Sequence, residues 1–153
     1  MQIVNHDNGL ISIEISNIEK ELMTELTDSL LFSLESNDPS SLIPRLFPTA
    51  ILDEPEMEQE YKEITESELR SAHRKSLQTL DIVTSGNKIS MDEFVLVIKG
   101  LNLIRLKLGE ELNINDELQS PPNSVENEYQ TWIIFQHLGQ MLFECVSALE
   151  RGF

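Results

Sequence analysis

Between Ile89 and Leu112 the chain reads ISMDEFVLVIKGLNLIRLKLGEEL, and this stretch limits the fold more than any other. Its apolar seam, Phe94, Ile98, Leu101, Arg105, Leu108 and Leu112, follows helical spacing. Val95, Val97, Leu103, Ile104 and Leu106 make the other faces apolar too. A helix that is hydrophobic almost all round is the buried centre of a domain. The spacing therefore predicts a mainly α fold, a compact helical bundle around a buried central helix. Ser90 and Glu93 form a capping box at its start, and Ile89 is placed to staple onto Phe94.

Arg105 falls within that seam. An arginine there must find a partner or snorkel, because an unpaired buried charge is costly. The expected arrangement is a buried or half-buried ion pair that fixes how the helices meet, with Asn102, one turn earlier, sharing the partner. The sequence does not identify the acid. Loss of such a pair costs on the order of 3–5 kcal/mol.

The remaining elements are marked by local signals. Gln2–Val4 and Leu10–Ile15 flank Asn8-Gly9 and predict a short N-terminal β-hairpin over 1–15, laid on the helices because a lone hairpin is marginal in water. A first helix starts at a second capping box, Ser16 with Glu19, and runs to about Glu35, with Ile18, Leu22, Leu26 and Leu30 as its apolar stripe. Four prolines (Pro39, Pro44, Pro48 and Pro55) follow, so only short helical turns are expected up to Glu63. A second helix is expected from Thr65, capped with Glu68, and ends at Thr84-Ser-Gly-Asn87; Leu69, Ala72, Leu77 and Leu80 form its buried face. A polar loop, 113–125, carries Pro121-Pro122 and is expected to be poorly ordered. A last helix to about Glu150 presents Ile134, Leu138, Met141, Cys145 and Leu149, widened by Phe135, Leu142 and Val146. A chain of 153 residues with these elements is expected to be a single helical domain, 1–153.

The charge is −16, from 27 acidic and 11 basic residues. The acids gather in two runs, Asp53 to Glu68 with only Lys62 opposing them, and Glu110 to Glu128 with no base. Nucleic-acid binding needs a positive footprint, which most of this surface opposes. The acidic run is expected either to serve solubility or to dock a basic protein partner through Asp53, Glu54, Glu56, Glu58, Glu60 and Glu63. Arg70, Arg74 and Lys75, beside His73, make the one basic cluster. They match the preceding acids within the chain, or contact a small anion or an acidic partner.

No apolar run reaches the roughly 18 residues of a membrane span, and the first residues lack the basic start and apolar core of a signal peptide. A cytoplasmic location is the expectation. No metal site is expected: His6, His73 and His137 are scattered, no Glu-x-x-His or Cys-x-x-Cys occurs, and the acidic run lacks the spaced ligands and glycine of a calcium loop. Phosphate-loop and nucleophile-elbow motifs are absent as well. Neither an enzyme nor a cofactor is expected. His137, Gln140 and Glu144 share a helical face as a small polar cluster. Cys145, the single cysteine, reads as a small buried hydrophobe.

Three blocks resemble an actinobacterial family catalogued as a domain of unknown function, which includes the mycobacterial oxidative-stress regulator AosR. They are Arg45-Leu-Phe-Pro48 with Ala50, Asp53, Pro55 and Glu60-Tyr-Lys62; Thr65-Glu66 with Leu69-Arg70; and Leu101-Asn102, Arg105-Leu106, Leu108-Gly109 and Leu112. Tyr129 and Trp132 also suit that family. The resemblance implies a small, mainly helical bacterial protein without catalytic activity. It implies regulation through proteins such as the transcription machinery or, because members sit near the adaptor of the Clp protease, regulated proteolysis. A redox-regulated member would use a cysteine pair, whereas this chain has only Cys145.

The reading that follows is a non-enzymatic regulatory protein of a stress response. Its acidic surface meets a basic partner: a transcription factor, a polymerase subunit or a protease component. The alternatives are an accessory of Clp-type proteolysis and direct DNA binding through Arg70, Arg74 and Lys75.

Overall fold

The computed structural model describes residues 1–35, 55–112 and 126–152, with side chains for 1–35, 66–112 and 129–152. It is mainly helical. Two strands, β1 (Gln2–Asn5) and β2 (Ile11–Glu14), precede α1 (Asn17–Glu35), α2 (Pro55–Thr84), α3 (Met91–Glu111) and α4 (Glu126–Arg151). The loop 113–125 and the Arg45-Leu-Phe-Pro48 block lie outside the described residues.

The strands pair antiparallel, with Ile3 opposite Ile13 and Asn5 opposite Ile11. Gly9 takes a φ of +80°, which an L side chain rarely adopts, so the Asn8-Gly9 step turns the chain at little cost. The hairpin is held at the side by two backbone hydrogen bonds between Ile11 and Ile89, of 2.7 and 2.9 Å. This bridge fixes it to the α2–α3 connection while Ile11 and Ile13 enter the core.

Two of the three expected capping boxes form, those of α1 and α3, whereas Thr65 lies inside α2 and starts no helix. At α1 the Glu19 amide donates to Ser16 Oγ (3.2 Å) and the Ser16 amide to Glu19 Oε1 (3.0 Å). At α3 the Glu93 amide donates to Ser90 Oγ (3.2 Å) and the Ser90 amide to Glu93 Oε1 (3.0 Å). Helix α2 ends in a Schellman motif. The Gly86 amide donates to the Val83 carbonyl (2.9 Å) and the Asn87 amide to the Ile82 carbonyl (3.3 Å), with Gly86 at a φ of +82°.

Helix α3 is the hub. It packs between α2 and α4 and also touches α1, which lies mainly on α2. Phe94, Val97, Leu101, Leu103, Ile104 and Leu108 are buried along it. Leu77, Leu80 and Val83 of α2 meet it from one side, and Phe135, Leu138, Met141, Cys145 and Ala148 of α4 complete the core. Gly100 lets α2 and α3 close: a Cβ there would lie 2.9 Å from both Leu80 Cγ and the Ser76 carbonyl oxygen.

Three features depart from the sequence reading. Helix α2 begins at Pro55, ten positions before Thr65, so the short turns and the second helix are one element. Proline suits the first turn of a helix, and the residues between Pro55 and Thr65 contain no breaker. The buried face of α1 is Met23, Thr27, Leu30 and Leu34, while Ile18 is 77% exposed. The stripe is turned by about one position, since Thr27 is fully buried while Leu26 packs on the core only in part. On α2, Ser76 and Thr79 join the buried face and Ala72 is exposed. The Ser76 and Thr79 hydroxyls donate to the Ala72 and Lys75 carbonyls, which makes their burial cheap.

Candidate functional site

The basic cluster of α2 is divided between two duties. Helix α1 has no base in its last turn to balance the carbonyls that end it. Arg70 donates from Nη1 to the Leu34 carbonyl oxygen, and Arg74 Nε lies 3.9 Å from Glu35 Oε1. These two arginines thus bring positive charge from α2 to the C-terminal end of α1. Lys107 makes a similar tie from α3, with Nζ 2.6 Å from Ser29 Oγ and 3.7 Å from Glu111 Oε1.

Lys75 points elsewhere. It lines an open groove of about 350 Å³ between α2 and α3, together with Leu69, Ala72, His73, Ser76, Leu96, Lys99, Asn102 and Leu103. The walls are mostly apolar, and one lysine comes from each helix. Such a groove suits an apolar group that carries a negative charge. Asn102 is exposed on this groove. Lys99 and Leu103 were not legible as groove residues, because the pattern of one helix does not say which face its neighbour covers.

Arg105 is half-buried on the other side of α3. The sequence leads one to expect a carboxylate partner, but no ion pair to Arg105 forms among the described residues. Its guanidinium carbon stands 4.2 Å from the centre of the Phe135 ring, over the negative face of the π system. Gly139 supplies the room, since a Cβ there would come within 3.1 Å of Arg105 Nε. Asn102 and Arg105 therefore serve different surroundings.

Glu19 gathers three segments. Its carboxylate receives the Ser16 amide, lies 3.0 Å from His137 Nε2 of α4, and is 3.9 Å from the Met1 α-ammonium. Burial pushes the Glu19 carboxyl up, but the hydrogen bonds from Ser16 and His137 and the ammonium outweigh it and hold the group below its ordinary value. His137 is thus turned toward α1, while Gln140 donates to Glu144 at 3.3 Å. Asp81 moves the opposite way, raised by burial and by the charge of Asp28.

Cys145 is fully buried, and burial together with Glu144 pushes its thiol up to about 12. Its thiolate population at neutral pH is negligible, so it behaves as packing. His6 shares a 2.6 Å hydrogen bond with Ser12 across the hairpin, and His73 is half-buried at the groove. Among the described residues no group of three His, Cys, Asp or Glu side chains could hold a metal ion. No helix among them is long and apolar enough to cross a membrane. The side chains of Asp53, Glu54, Glu56, Glu58, Glu60 and Glu63 lie outside the described residues.

A family model described as a domain of unknown function, DUF2017, matches residues 1–149. The chain belongs to the DUF2017 family. The match takes in the hairpin and all four helices, so this bundle around α3 is the DUF2017 domain of the chain. No curated protein and no solved structure matches this DUF2017 chain.

Proposed function

We propose that this DUF2017 chain is a non-enzymatic, cytoplasmic regulatory protein that docks a basic protein partner through its acidic surface. The observation that carries the reading is the use made of the arginines. Arg70 and Arg74, the core of the only basic cluster, are engaged at the C-terminal end of α1. That engages two of the three cations through which the chain could contact DNA, and counts against direct DNA binding. The acidic run from Asp53 to Glu68 starts at the head of α2 and is opposed only by Lys62. A field of this sign steers basic surfaces and raises their association rate.

A transcription factor or polymerase subunit active in a stress response fits this chemistry, in keeping with the resemblance to regulators of oxidative stress. A basic component of a Clp-type protease would use the same surface. The test is charge reversal: Glu56→Lys, Glu58→Lys and Glu60→Lys together should weaken partner binding and flatten its dependence on salt. Binding that ignores both salt and these substitutions would remove the acidic surface from the mechanism.

A further inference from the structure

From Tyr129 to Phe143 the last helix contains no Asp, Glu, Lys or Arg, a gap of fifteen positions in a chain of net charge −16. Much of this stretch is buried, but one stripe is not. Tyr129, Ile133, Gln136, Gln140 and Phe143 recur at spacings of three and four, which puts them on one face of α4. All five are exposed, and the large apolar ones keep 47%, 46% and 66% of their surface open at Tyr129, Ile133 and Phe143. Trp132 stacks beside Tyr129 with ring centres 6.2 Å apart, widening the apolar end.

We infer that this stripe is the contact between two copies of the chain, with the two α4 helices packed antiparallel about Gln136. Charge selects the occupant. A basic partner is drawn to the acidic surfaces and gains nothing from a neutral face. A lipid surface calls for lysine or arginine flanking the apolar face, whereas the charged residues that immediately flank this stretch in sequence are the acids Glu128 and Glu144. Two copies of a strongly acidic protein repel each other, and they meet at least cost where neither presents a carboxylate.

The spacing is also self-complementary. Tyr129 and Phe143 stand seven positions either side of Gln136, so a two-fold axis there sets Tyr129 of one copy against Phe143 of the other. The two Gln136 amides face each other, and each can donate to and accept from its mate. Ile133 of one copy falls against the Gly139–Gln140 segment of the other. The stripe is about 21 Å long at the rise of an α-helix. A pair of this size buries less than the roughly 1,600 Å² of a standard interface, so the association is weak and depends on concentration.

Sedimentation velocity on the full chain, from micromolar to sub-millimolar, tests this. The expected result is a reversible shift from monomer to dimer that salt strengthens, because salt screens the repulsion between the copies. This is the reverse of the salt effect expected for a basic partner, so the two readings can fail separately. Ile133→Glu and Phe143→Glu, each at an exposed site, should weaken the dimer by at least about tenfold, the scale of losing a central apolar anchor. Ile82→Glu, also exposed but on α2, should leave it unchanged. Gln136→Cys, treated with a mild thiol oxidant that takes the two electrons, should form a symmetric disulfide dimer, undisturbed by the buried Cys145. A monomer at the highest concentration in high salt overturns the inference. So does a dimer that tolerates both stripe substitutions, or one in which Gln136→Cys fails to cross-link.

Discussion

The Arg105 guanidinium rests 4.2 Å above the ring of Phe135, where the sequence suggests a carboxylate. The ring answers part of the problem posed by a cation in an apolar seam, since Arg105 Nε is buried without a hydrogen-bond partner among the described residues. An aromatic face attracts the charge without bringing a second ion to desolvate, and the half-buried position keeps part of the group in water. The Arg105 stem still covers apolar surface on the way out.

A double-mutant cycle with Arg105→Leu and Phe135→Leu, followed by chemical denaturation, should give a coupling of about 0.5–2 kcal/mol. This is less than the loss expected for a broken buried ion pair. Zero coupling would mean that the two side chains merely lie close.

How far the sequence discloses this arrangement follows from the range of each signal. The hairpin turn, the capping boxes of α1 and α3 and the end of α2 depend on residues a few positions apart and are legible, whereas the same local signal at Thr65 and Glu68 misplaces the start of α2. The central helix is legible too, because α3 is apolar on nearly every face. The phase of α1 is not: Leu22, Leu26 and Leu30 form as good a stripe as the observed Met23, Thr27, Leu30 and Leu34. Only contact with α2 and α3 decides between them. The partner of Arg105 and the lysines of the α2–α3 groove depend on which helix faces which, and no local pattern states that.

At Gly100 the backbones of α2 and α3 come close together. Gly100→Ala would place a methyl 2.9 Å from the Ser76 carbonyl and Leu80. Backbone cannot yield as a flexible side chain can, so the helices must separate. The expected loss is about 1–3 kcal/mol in a denaturant titration, despite the better helix propensity of alanine. A variant at least as stable as the parent would contradict this packing.

Glu19 makes stability depend on acid. Its folded value is depressed, so its contribution is fully present above the ordinary value of 4.5 and is lost as pH falls through the folded value. Glu19→Gln should lower the melting temperature at neutral pH, and the gap from the parent should close as the pH falls below that range. A gap that stays constant with pH would show that the carboxylate charge does not contribute.

The most direct test of function is a pull-down from source-cell extract at low salt, with the bound proteins identified by mass spectrometry. It should be run in parallel with the chain carrying Glu56→Lys, Glu58→Lys and Glu60→Lys. The expected result is a basic protein, from the transcription machinery or a Clp-type protease, retained by the parent, released by salt and absent from the variant. Capture of the same proteins by both chains, unchanged by salt, would contradict docking through the acidic surface.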